Sequence, residues 1–268
     1  MSETVLLVGC GNMGRAMLEG WLAAKPTLNA YVVEPSDELR DRAAALGAAA
    51  VSAPADLPAG MSPDLAFLAV KPQIMPSVLP DYAGFGGATF VSIAAGTTVA
   101  TLRAGLGPDA AVNRCMPNTP AAIGAGMMVC WGTDNVTDAA KALTSDLLTA
   151  SGEVAWIDDE ALMDAVTAVS GSGPAYIFHF IEALTAAAVK AGLPEKLSKT
   201  LAMQTVMGAG RLATESDTPA GTLREQVTSP GGTTAAGLSV LRDTGRLEAL
   251  LTETVEAARA RGEELGKG

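Results

Sequence analysis

Three glycines spaced G-x-G-x-x-G, at Gly9, Gly11 and Gly14, follow directly on the apolar run Thr4-Val5-Leu6-Leu7-Val8. An amphipathic segment from Ala16 to Ala24 comes at once after them. Strand, tight turn and helix in that succession restrict the start of the chain to a βα unit of a layered α/β sheet. Gly9 permits the turn, Gly11 lets backbone approach a ligand, and Gly14 lets the helix pack close to the strand. The helix start then offers unpaired N–H groups and a positive dipole end, which suit a pyrophosphate. The plain alternative is a glycine-rich turn with no ligand. With a strand before it and a helix after it, a dinucleotide site is the stronger reading.

The rest of the composition narrows the partners. With 29 acidic against 18 basic side chains, neither nucleic acid nor an anionic membrane is an expected partner. Three cysteines, Cys10, Cys115 and Cys130, lack C-x-x-C spacing and are an odd number, as reduced thiols of a cytoplasmic protein would be. No signal peptide is expected before the strand at Thr4, and no apolar run reaches membrane-spanning length. A single histidine, His179, speaks against histidine-based catalysis and against a histidine-rich metal site. No metal is expected.

Strands alternate with helices through the first part of the chain. Strands are predicted at Asn29 to Glu34, Ala48 to Val51, Asp64 to Val70, Thr89 to Ala94, Ala110 to Cys115, Met127 to Trp131 and Glu153 to Ile157. Helices are predicted at Asp37 to Leu46, with Ser36 as N-cap, at Thr97 to Ala104, and around Val136 to Ala150. That alternation predicts a parallel, doubly wound sheet. Glu34 lies 20 residues past Gly14, where an acidic side chain can accept from the adenosine ribose 2′-OH and favour NADH. Ser36 and Arg40, just beyond, could instead hold a 2′-phosphate, so the residues leave both cofactors open. Lys71-Pro72 ends the fourth strand at the edge where such sheets hold ligands, which makes Lys71 a candidate cofactor contact. Pro117 and Pro120 keep Met116 to Pro120 extended, so that Asn118 and Thr119 would project into the same crevice.

From Asp158 the composition changes to alanine, leucine and methionine, and no further strand is predicted. Helices are expected at Asp159 to Val169, Gly173 to Ala191, Glu195 to Thr214, Leu223 to Val227, Ala235 to Leu241 and Arg246 to Leu265. The division therefore reads 1–157 for the dinucleotide domain and 158–268 for a helical one. Several of these helices are apolar nearly all round, more than one subunit needs, so a second subunit is expected to cover them. Ser170 to Pro174 reads as a loop opening the longest helix. Thr228-Ser229-Pro230-Gly231-Gly232-Thr233-Thr234 reads either as a capped helix connection or as a cradle for a carboxylate.

With these residues in hand the chain resembles pyrroline-5-carboxylate reductase, over nearly all of its length. The resemblance rests on G-C-G-N-M-G at Gly9 to Gly14, A-V-K-P-Q at Ala69 to Gln73 and S-I-A-A-G at Ser92 to Gly96. M-P-N-T-P at Met116 to Pro120, S-G-S-G-P-A-Y at Ser170 to Tyr176 and L-R-E-Q-V-T-S-P-G-G-T-T at Leu223 to Thr234 complete the set. The last is the most specific of them.

The resemblance implies an N-terminal Rossmann-like α/β domain and an all-α C-terminal domain that interlocks with its mate in a dimer, with dimers often assembled into a decamer. It implies NADPH or NADH as cofactor, held by Gly9, Cys10, Gly11, Asn12, Met13, Gly14, Glu34, Ser36, Ala69, Val70, Lys71, Pro72, Ala94 and Asn118. It implies a substrate, pyrroline-5-carboxylate, lying between the nicotinamide and a loop made of Ser229, Gly231, Gly232, Thr233 and Thr234. Thr234 would hydrogen-bond the ring nitrogen, as the catalytic residue. Glu160 and Asp217 match positions near the pocket. Thr233 stands where some relatives have alanine.

The implied reaction is hydride transfer to C5 of a cyclic imine, giving L-proline. A partly protonated imine accepts hydride readily, so the protein needs mainly to position two reactants and stabilise a cation. A hydroxyl can orient or relay the proton without a histidine. A β-hydroxyacid dehydrogenase would need a lysine one turn into the helix after Gly173, and the first lysine there is Lys190. A nucleotide-sensing module without catalysis would need no carboxylate cradle.

Overall fold

In the computed structural model, which describes residues 3–266, the apolar run at the start forms β1 (Thr4–Val8). Its side chains alternate between two cores: Val5 and Leu7 face one, Leu6 and Val8 the other. A strand apolar at four successive positions, Val5 to Val8, suits the middle of a sheet covered on both faces. Beyond β1 lie β2 (Asn29–Val33), β3 (Ala49–Val51), β4 (Leu65–Leu68), β5 (Thr89–Ser92), β6 (Ala111–Met116), β7 (Gly126–Gly132) and β8 (Gly152–Trp156). They form one sheet in the order β3-β2-β1-β4-β5-β6-β7-β8.

The helices of this region are α1 (Asn12–Ala24), α2 (Asp37–Ala45), a short α3 (Met75–Val78), α4 (Val99–Leu106) and α5 (Asp138–Thr149). On one face, Met17, Leu18 and Trp21 of α1 and Leu147 and Leu148 of α5 pack with Phe67 and Val91. Trp21 and Phe67 meet with ring centroids 4.5 Å apart. On the other face, Met75, Leu79, Tyr82, Leu102 and Leu106 cover Leu68, Phe90 and Val112. The strand order reverses between β1 and β4, which opens a crevice at their carboxyl ends. That crevice positions the site.

One sequence expectation about this region is corrected. The sheet is parallel through β6, but β7 pairs antiparallel to β6, and β8 follows β7 in parallel. Residues 117–125 are too few for the crossover of about a dozen residues that a parallel partner requires. The chain folds back instead through a 3-10 turn, Thr119–Ile123, closed by Gly124 at φ +71°. Packing also divides the chain, in its own way beside the composition change at 157/158. The sheet unit runs to Ser172 and takes up the chain again from Ala258, leaving Gly173–Ala257 as the second unit. Met163 and Ala168 are buried within the sheet unit, and a Cβ at Gly262 would stand 2.8 Å from Asp164 Oδ1, so these helical turns pack there despite their composition.

The expected helix at Asp159 to Val169 is a composite. A 3-10 turn, Glu160–Leu162, leads into α6 (Met163–Val166) and then a π-turn, Thr167–Gly171. The expected loop at Ser170 to Pro174 is thus mostly helical, with only Ser172 between the π-turn and the next helix. The second unit holds α7 (Gly173–Lys190), α8 (Glu195–Glu215), α9 (Ala220–Gln226), α10 (Thr233–Arg242) and most of α11 (Arg246–Gly266). Gly192, at φ +102°, turns the chain between α7 and α8. No helix among the described residues is long and apolar enough to cross a membrane.

Candidate functional site

The three glycines of the first turn serve different needs. Gly9 sits at φ +87°, and a Cβ there would lie 2.9 Å from Val70 Cγ1 and 3.0 Å from the Ala69 carbonyl oxygen. A Cβ at Gly14 would lie 2.6 Å from the Gly9 carbonyl oxygen. Both glycines are required by the fold itself. Around Gly11 a Cβ would meet nothing within 4 Å. The fold itself therefore does not demand glycine at Gly11, and its backbone borders open space. The first N–H inside α1 to find a partner in the turn is that of Arg15, which donates to the Gly11 carbonyl at 2.9 Å. Preceding N–H groups of the first turn face outward unpaired by helix geometry. Open backbone at Gly11 and donors at a helix start fit a pyrophosphate.

Cys10 and Glu34 are joined to each other. The Cys10 side chain is buried in the sheet core, and its thiol is pushed up to about 11 by burial and then by the Glu34 charge. Its N–H donates to Glu34 Oε2 at 2.7 Å. Glu34 Oε1 accepts from the Ser36 N–H at 3.0 Å. The carboxylate, 6% exposed, therefore ties the glycine turn to the end of β2. Ser36 occupies the N-cap position of α2, but its side chain makes no capping bond.

The other rim residues follow β4, β5 and β6. Ala69 and Val70 line the Gly9 turn, while Lys71 and Pro72, at the start of a 3-10 turn, are exposed. Ala94 follows β5, and Thr98 caps α4 by accepting from the Thr101 N–H. The Val99 N–H in that same first turn donates to Glu160 Oε1 at 3.0 Å. Arg114 Nη1, reaching from β6, donates to the same oxygen at 2.7 Å. An arginine in a buried strand, A-V-N-R-C-M, demands a partner, and that demand was the available signal for this clamp. Sequence reasoning left Arg114 out.

Asn118 has two partners of its own. Its Nδ2 donates to the Ser170 carbonyl at 3.2 Å, and its Oδ1 accepts from the Met127 N–H at 2.9 Å. The side chain thus braces the loop after β6 against the π-turn. Ser170 was not singled out as a site residue. π-Turns recur at functional sites, and Gly171 is pressed against Met116, where a Cβ would lie 2.5 Å from Met116 Cε.

In the second unit, Thr228 to Thr234 forms a tight connection between α9 and α10. The Gly232 N–H donates to the Ser229 carbonyl at 3.0 Å, and Gly231 takes φ +68°. Gly232 is the N-cap of α10, so Thr233 and Thr234 stand in its first turn, both exposed. Their N–H groups belong to the unpaired donors of a helix start. Asp217 is exposed between α8 and α9. His179 is exposed on α7, with Nδ1 3.1 Å from Glu182 Oε2. Among the described residues no cluster of three or more His, Cys, Asp or Glu could hold a metal ion.

Comparison with known proteins covers the whole chain. Residues 160–265 match a family model described as pyrroline-5-carboxylate reductase dimerisation, and residues 4–96 one described as NADP oxidoreductase, coenzyme F420-dependent. The pyrroline-5-carboxylate reductase of Synechocystis is 40% identical over 270 residues, covering all of both chains. Among solved structures, that of a pyrroline-5-carboxylate reductase from Coxiella burnetii superposes with a TM-score of 0.94 at 32% identity over all of both chains. That of a Plasmodium falciparum pyrroline carboxylate reductase with NADP bound gives 0.81 at 31% identity, covering 98% of each chain.

Proposed function

Because the chain belongs to the pyrroline-5-carboxylate reductase family, we infer that it reduces 1-pyrroline-5-carboxylate to L-proline with NADPH or NADH. The observation that carries this beyond kinship is the division of labour among glycines: two are needed by the fold, and Gly11 is left open to a ligand. The reduced nicotinamide, when bound, supplies a hydride to C5 of the ring.

This chain's own residues would then do the following. The open backbone at Gly11 and the N–H groups at Asn12 and Met13 hold the pyrophosphate. Ala69 to Pro72, Ala94 and the backbone at Asn118 border the nicotinamide. Asn118 itself acts as a positioning residue, through Ser170 and Met127. Glu160 fixes the first turn of α4 and, through it, the loop carrying Ala94. Ser229, Gly231, Gly232 and Thr233 hold the substrate carboxylate by N–H and hydroxyl groups. The Thr234 hydroxyl bonds the ring nitrogen and steadies the proton that makes the imine a better hydride acceptor. Reduction leaves that proton on the amine of proline, so no histidine is required.

The β-hydroxyacid dehydrogenase alternative fails on α7, whose first turns carry Tyr176, Ile177 and Phe178 where a lysine would be needed. Association of dimers into a decamer, a helical substrate-binding role for 158–268 and a cytoplasmic setting complete the proposal. Buried thiols at Cys10, Cys115 and Cys130, none in a disulfide, support that last element. The functional test is direct. Mixing protein, reduced cofactor and pyrroline-5-carboxylate should consume cofactor and yield an equal amount of L-proline. Cofactor consumed without proline, or none consumed, would refute the assignment. Light scattering of the full chain tests the decamer.

A further inference from the structure

We propose that Glu34 makes this reductase select NADH over NADPH, and that it does so as a fixed carboxylate rather than a movable one. The inference rests on the dinucleotide reading of the glycine turn. A carboxylate has about four lone-pair sites. Two are used by the N–H groups of Cys10 and Ser36. Those left can accept from ribose hydroxyls, but they have nothing to offer a phosphate, which is itself an acceptor. Swinging the side chain away to admit a 2′-phosphate would leave two N–H groups without partners, one of them buried. Fixing the carboxylate to the glycine turn therefore fixes the choice of cofactor.

The neighbouring cations do not counter it. Arg40, the residue best placed in sequence to receive a 2′-phosphate, is drawn back onto its own helix start. Its Nη1 donates to the carbonyls of Glu34, at 3.2 Å, and Pro35, at 3.4 Å, and its Nη2 pairs with Asp37. Arg42 pairs with Glu38, and Arg15 with Glu19. From Glu34 to Arg42 the carboxylates of Glu34, Asp37, Glu38 and Asp41 outnumber the guanidinium groups of Arg40 and Arg42. A phosphate bringing a charge of about −1.5 to −2 meets a region already negative.

Titrating the full-length protein with NADH and with NADPH, and following nicotinamide fluorescence, gives both dissociation constants without turnover. NADH should bind on the order of tenfold or more tightly than NADPH, the scale of one hydrogen bond to a charged group. Steady-state kcat/KM with pyrroline-5-carboxylate should follow the same order. Glu34→Ser should shift the ratio toward NADPH by about tenfold. Glu34→Gln keeps the shape and one acceptor, and should shift it less in the same direction. Should the serine variant fail to fold by circular dichroism, the wild-type ratio and the glutamine variant decide. Arg40→Ala should leave the ratio where it was.

Wild-type preference for NADPH, a ratio unmoved in folded Glu34 variants, or a selective loss of NADPH binding in Arg40→Ala would each overturn the inference alone. If neither cofactor binds the wild-type protein, the dinucleotide reading itself falls.

Discussion

In β4 and β5 of the sheet unit every residue is buried, while between Gly173 and Ala257 only Ser198 and Ala202 are. The contrast is not one of composition. α7 carries Ile177, Phe178, Phe180 and Val189 among its exposed residues, and α8 carries Leu201, Met203, Met207 and Leu212. Phe178 is 60% exposed. Burying each such side chain contributes about 1.5–3 kcal/mol. Ordering each residue of a helix costs about 1–2 kcal/mol of conformational entropy. The sheet unit recovers that cost within one chain, through two cores stacked on a sheet. The helical unit does not. Its apolar surface is that of half a core, which is what a dimerisation region must present before its mate arrives.

The largest expected effect separates the two regions by stability. Phe67, fully buried against Trp21, should lose about 3–5 kcal/mol on replacement by alanine. A urea titration should show it at any protein concentration. Phe178→Glu should instead weaken association, seen as a lower mass in sedimentation, while the sheet unit keeps its own near-ultraviolet signal. Equal sensitivity of the two positions to protein concentration would erase the distinction.

The glycine turn sharpens the comparison within the sheet unit. Gly14→Val forces a branched side chain onto the Gly9 carbonyl and should disrupt the fold. Gly11→Val meets open space, so circular dichroism should be unchanged while affinity for the reduced cofactor falls about a hundredfold, ~2.8 kcal/mol. Normal affinity in a folded Gly11→Val protein would remove the pyrophosphate from this turn.

Thr234 tests what the helical unit contributes to chemistry. Thr234→Ala removes a hydroxyl from the exposed first turn of α10 and should leave folding and cofactor affinity intact. Losing a hydrogen bond to a group that becomes charged should cost about 1.5–3 kcal/mol, or roughly ten- to hundredfold in kcat/KM. Thr234→Ser should retain most activity. Wild-type turnover by the alanine variant would reduce the loop to a carboxylate anchor.

The smallest effect concerns the clamp at the crevice. Glu160→Gln keeps an acceptor for Arg114 and the Val99 N–H but removes the charge, and should cost about 1 kcal/mol. If Glu160 positions the loop after β5, KM for the cofactor should rise more than kcat falls. A pure loss of stability with both constants unchanged would make the clamp structural only.

The sequence reading was strongest where one residue pattern carries the whole message. The apolar run of β1 and the three-glycine spacing needed only near neighbours, and each glycine's part in the turn could be argued from the sequence alone. Strand direction is different, because an apolar run reads the same either way, so β7 reversed unannounced. The Asn118 contact joins residues 52 apart in the chain, and the Arg114–Glu160 pair joins residues 46 apart. Composition placed the domain boundary where alanine begins to dominate. Packing groups residues 158–172, with Met163 and Ala168 buried, with the sheet. Glu34 was found by its distance from Gly14, but its two backbone partners depend on the packed turn.

Hydrogen exchange of the full-length protein across a dilution series, resolved by peptide, tests the contrast most directly. Protection in β1, β4 and β5 should stay constant on dilution, while protection in α7 and α8 should fall together with the dimer population. Undiminished protection in α7 and α8 at concentrations where sedimentation shows a monomer would mean that the helical unit completes its core alone, and would contradict the account.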